Sequence, residues 1–103
     1  MAKEKLTPAD KKFIAKFFGD VDFDAKQITR SNRFSGETTE VDPVFALVYD
    51  FIMKVEAAIN RRSDEALKSI HPELKMTNAI MNFDRARMIA MKMDCSAYMT
   101  LLD

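Results

Sequence analysis

Cysteine is almost missing from this sequence, and Cys95 stands alone among 103 residues. A single cysteine excludes an internal disulfide and a multi-cysteine metal site, and it suits a reducing compartment. Histidine is as scarce. His71 has neither acids nor a cysteine at a spacing that would make it a metal ligand or general base, and its place before Pro72 is that of a turn residue. Two glycines and three prolines, beside 48% hydrophobic and 31% charged residues, set aside fibrous and disordered chains in favour of a helical globular one. Charge of one sign is also absent: sixteen basic and sixteen acidic side chains cancel, so no global field draws the protein to nucleic acid or an anionic membrane. Long hydrophobic runs are missing too. The most apolar stretch, residues 44–59, is interrupted by Asp50, Lys54 and Glu56, which hydrocarbon would not tolerate. The opening Met1-Ala2-Lys3-Glu4-Lys5 leads into no apolar core, so no secretion signal is expected.

What is present reads as one mostly α domain over residues 1–103: an N-terminal amphipathic helix (1–19), an irregular arm (20–42) and a C-terminal helical hairpin (43–103). Thr7-Pro8-Ala9-Asp10 is a helix start, with a hydroxyl cap, proline at the first helical position and a carboxylate near the positive helix end. Gly19 is the natural stop. Ala9, Phe13, Ile14, Phe17 and Phe18 gather on one side of this helix, leaving Lys11, Lys12 and Lys16 for solvent or a partner. In the arm, Val21, Phe23 and Ala25 alternate with aspartates, so a short strand is expected there. A second extended piece at residues 38–41, paired near Ile28, would make a short β-hairpin that is marginal unless helices support it.

Asp42-Pro43 repeats the cap-plus-proline start, and Val44, Val48, Phe51, Ile52, Val55, Ala58 and Ile59 then form one helical stripe. Ser63 offers a new cap after Arg61-Arg62, giving a short helix to Ile70, although one helix over 43–70 satisfies the same pattern. Beyond Pro72, Met76, Ala79, Phe83, Ala86, Ala90, Met93 and Ala97 follow steps of three and four, a heptad seam. A second stripe on the same helix, Met88, Met91, Cys95, Tyr98 and Leu102, requires a further cover, either the phenylalanines of the first helix or another copy of the chain.

The short signatures of catalysis are missing: there is no Gly-rich phosphate loop, no GxSxG and no HExxH. Asp20, Asp22 and Asp24 have the opening spacing of a calcium loop, but Ala25 stands where the turn needs glycine and Ser31 where a glutamate should close the site. Cys95, within an apolar stripe, is expected to be a buried, inert thiol. No catalytic, cofactor-binding or metal-binding residue is therefore assigned. Asp84 and Arg87 can pair within the last helix, while Asp94 needs a partner such as Arg61 or Arg62, or a group on another subunit, if it is not simply exposed.

These features predict a non-enzymatic interaction or assembly subunit, self-associating through Met76, Ala79, Phe83, Ala86, Ala90, Met93 and Ala97, with no membrane partner. Short accessory chains of this sort are frequent in phages and macromolecular complexes, and residence in the cytoplasm, or in a virion if phage-encoded, fits the reduced cysteine. A competing class is a nucleic-acid-binding module using Lys11, Lys12, Lys16, Arg30 and Arg33, with Phe34 available for stacking. Another is a small-ligand binder or inhibitor with a pocket between helices.

Overall fold

A computed structural model describes residues 5–32 and 34–102, and among these the chain is mostly α, with four helices and one two-stranded sheet in the order α1(Pro8–Phe18), β1(Ile28–Ser31), β2(Thr38–Val41), α2(Pro43–Asn60), α3(Asp64–Ile70) and α4(Met76–Leu102). The helix starts follow their local chemistry. The Thr7 hydroxyl accepts the Asp10 N–H at 3.1 Å, and the Asp10 carboxylate accepts the Thr7 N–H at 3.0 Å, a reciprocal cap satisfying donors that the first turn would otherwise leave open. Asp42 caps α2 through the Val44 N–H at 2.8 Å, and Ser63 caps α3 through the Ala66 N–H at 3.1 Å.

α2 and α3 are separate helices, so the alternative of one continuous helix over 43–70 is set aside. Arg62 adopts φ 54°, the left-handed region, and reverses the chain. Its N–H donates to the Ile59 carbonyl, while the Ser63 N–H donates to Ala58. This pair of bonds is the Schellman arrangement that closes a helix end, here with arginine where glycine is usual.

The hairpin forms at the expected place, antiparallel, with Ile28 opposite Val41 and Ser31 opposite Thr38. The strand expected over Val21, Phe23 and Ala25 does not form. The Asp22 carboxylate accepts the Asp24 N–H at 2.9 Å and its carbonyl accepts the Ala25 N–H at 3.3 Å, so local bonding folds this stretch into a turn. Val21 and Phe23 nevertheless pack against the core.

α2 and α4 form the C-terminal hairpin, and both bury one face. Val44, Val48, Ile52 and Val55 of α2 and Ala79, Ala86, Ile89 and Ala90 of α4 are buried in one core, which also takes in Leu67 and Leu74. Alanines on α4 permit the close approach that large α2 side chains fill. α1 packs on α2 through aromatic rings, with Phe13, Phe17 and Phe18 lying 6.2, 4.9 and 5.7 Å from the Phe51 ring. α4 is not straight. Asp94 has φ −162° and ψ 91°, and its carboxylate accepts the Ala97 N–H at 3.0 Å, so it caps a new helical segment inside α4. Asp94 thus takes its own helix as partner in place of Arg61 or Arg62. The molecule measures 34 × 34 × 17 Å, thin enough that an outer helix face has no second layer over it.

Candidate interaction surface

The heptad seam of α4 faces inward. Ala79, Ala86 and Ala90 have no exposed surface, Met93 and Ala97 are buried, and Met76 and Phe83 pack half-buried against the same core. The residues expected at a subunit interface are therefore occupied by the contact with the rest of this chain. A seam records only that a helix has an apolar partner, and here α2, linked to α4 through α3, is that partner.

The second stripe has a different outcome. α1, one of its two expected covers, sits on Phe51. Met88 is 61% exposed and Met91 41%, Leu102 and Cys95 are also exposed, and only Tyr98 turns in. Cys95 is thus not the buried thiol anticipated, because the break at Asp94 places it at the start of a new segment and on its outer side. Ile80 and Met81, 58% and 68% exposed, extend the apolar face toward the start of α4. Within this face Asp84 and Arg87 form an ion pair at 3.8 Å, and the Arg87 guanidinium lies over the Phe83 ring at 5.4 Å. The expected pairing of Asp84 with Arg87 is present.

Of the cations grouped as a nucleic-acid patch, Arg30, Lys11 and Lys16 have partners within the chain. Arg30 donates two hydrogen bonds to Asp50, at 2.7 and 3.2 Å, clamping the hairpin to α2, and this carboxylate partner raises its pKa. Lys11 lies over Phe23 at 5.9 Å, and Lys16 lies over Phe17 at 5.4 Å and pairs with Glu73 at 3.6 Å. Lys12 and Lys16 border an open groove of about 700 Å³ whose wall also carries Phe13, Glu73 and Arg85. Arg33 and Lys3 lie outside the described residues. A second open groove, about 420 Å³, runs between Phe18, Leu47, Phe51, Lys54 and Ile70.

Two buried polar residues have long-range partners that the sequence around them does not announce. Asp10 is 3% exposed and accepts Lys92 at 2.8 Å and Arg85 at 3.2 Å, tying α1 to α4. Burial alone would raise its pKa, but the bond from Lys92 and those from Thr7 outweigh burial and hold it below the ordinary value. Asn32, 2% exposed, donates to the Thr100 and Leu101 carbonyls at 2.9 and 3.1 Å and accepts the Phe34 and Ser35 N–H groups at 2.7 and 2.9 Å. Tyr49 adds its hydroxyl to Leu101 at 2.8 Å. The end of α4 is thereby satisfied by side chains from the hairpin tip and from α2.

His71 ends α3, with its ring 4.8 Å from Phe17 and Nδ1 accepting the Glu73 N–H at 3.2 Å, a turn residue held by packing. Among the described residues no group of three or more His, Cys, Asp or Glu side chains could hold a metal ion, and no helix is long and apolar enough to cross a membrane. Comparison with protein-family models, with curated proteins and with solved structures finds no match to this chain.

Proposed function

We propose that this chain is a non-enzymatic assembly subunit that self-associates through the outer face of α4. The observation that carries this reading is the run of exposed Ile80, Met81, Met88 and Met91 on a helix whose inner face is already filled. Apolar side chains exposed singly are ordinary, but four on one helix face, grouped around the Asp84–Arg87 pair, make a surface of the kind that marks an interaction site. Methionine suits such a surface because its unbranched, polarizable side chain adapts to a partner. The nucleic-acid alternative has less support, since Arg30, Lys11 and Lys16 each have a partner within the chain.

Molar mass by light scattering over a concentration series tests the reading. Wild-type protein is expected to gain mass with concentration. Met88→Glu, on the outer face, should remain folded and monomeric, whereas Ala90→Glu should unfold, since it forces a carboxylate into a position with no exposed surface. A wild-type monomer at every concentration would sink the proposal.

A further inference from the structure

The outer face of α4 carries a pattern that selects its own partner. Ile80, Asp84, Arg87 and Met91 follow steps of four, three and four, and at the helical advance they lie within about 60° of one another around the axis. The order is chemically palindromic: an apolar residue, an acid, a base, an apolar residue. We propose that α4 pairs antiparallel with α4 of a second copy, about a two-fold axis passing between Arg85 and Ala86. This rests on the assembly reading above and specifies its partner and register.

In that arrangement Ile80 faces Met91 of the second copy and Asp84 faces its Arg87, and each contact occurs twice by symmetry. The 3.8 Å ion pair within each chain becomes the centre of a four-charge cluster in which every acid has a base on both sides. Both charged side chains are substantially exposed, Arg87 at 45% and Asp84 at 60%, and so can reach across. A parallel pair would instead set Asp84 against Asp84 and Arg87 against Arg87, like charges on the seam, which disfavours that orientation. Met81 and Met88 flank the stripe on one side and Phe83 on the other.

The break at Asp94 sets the length of the contact. From Ile80 to Met91 the stripe runs about 17 Å, and the helix changes direction three residues later. A contact of three turns falls below the roughly 800 Å² per partner of a standard stable interface, so the dimer is weak and concentration-dependent.

The test uses the full chain with Cys95→Ser as background. Ile80→Cys and Met91→Cys proteins are each oxidised mildly alone and as an equal mixture, and products are read by mass spectrometry. The antiparallel register gives a hetero-disulfide in the mixture, in excess over either homo-disulfide. Homo-disulfides of each protein alone, with no preference for the mixed product, would overturn it. Independently, Asp84→Arg and Arg87→Asp should each weaken the dimer by about tenfold, because each replaces two cross-chain attractions with two repulsions. The double exchange should restore wild-type association, and failure to restore it overturns the register. A wild-type oligomer that is lost in Met88→Glu yet gives only homo-disulfides leaves the assembly reading standing and rejects the antiparallel one. A wild-type monomer rejects both.

Discussion

Asp10 shows how one residue can serve two levels of structure. Its carboxylate closes the cap of α1 and also receives Lys92 and Arg85, residues 82 and 75 positions away. Only the first role was legible from Thr7-Pro8-Ala9-Asp10, because the second depends on where α4 lies. The carboxylate is held below its ordinary pKa, so the stability it contributes is fully present above the unfolded value, near pH 4, and is lost as pH falls through the folded value. Asp10→Ala should therefore cost about 2 kcal/mol in urea unfolding at pH 7, from the lost cap and buried charge-assisted bonds. The difference from wild type should shrink below about pH 4, and a gap that stayed constant to pH 2.5 would show that the ion pairs contribute nothing. Asn32 makes the same point without charge: two of its side-chain hydrogen bonds are local, from the Phe34 and Ser35 N–H groups, while the two that bring the hairpin tip to the end of α4, to the Thr100 and Leu101 carbonyls, have nothing near Asn32 in sequence to announce them.

Helix starts were the most legible features at the scale of elements, because a cap is decided by residues two or three apart. Thr7, Asp42 and Ser63 each cap as their neighbours imply. Helix ends and interruptions were less legible. The α2 to α3 break runs through Arg62 at φ 54°, a conformation costing a non-glycine residue roughly 1 kcal/mol or more. Arg62→Gly should stabilise the protein by about 1 kcal/mol, discounted by the flexibility glycine adds to the unfolded chain, and a midpoint shift in chemical denaturation would register it. An unchanged or lowered midpoint would mean that the arginine side chain offsets the backbone cost. The interruption at Asp94 was hidden by an apolar period that continues across it, since Met93 and Ala97 keep their inward spacing. At residues 21–25 the alternation resembled a strand, but aspartates that bond their own backbone turned the chain first.

For the whole molecule, the thin slab leaves α4 as an outer wall, and the assembly reading has a thermodynamic consequence. If folded chains associate and unfolded chains do not, mass action makes the melting temperature rise with protein concentration. Wild type should show this rise in scanning calorimetry and Met88→Glu should not; equal, concentration-independent melting of both would count against association. The sequence by itself determined the mostly helical class, the helix starts, the place of the hairpin and the existence of two apolar stripes on the last helix, because capping and periodicity are short-range properties of the chain. Only the tertiary structure decided which stripe would face inward. Both stripes are apolar and both could pack, and the choice fell to α2 and to the clamps at Asp10, Arg30 and Asn32, whose partners lie tens of residues away and come together only when the chain has folded.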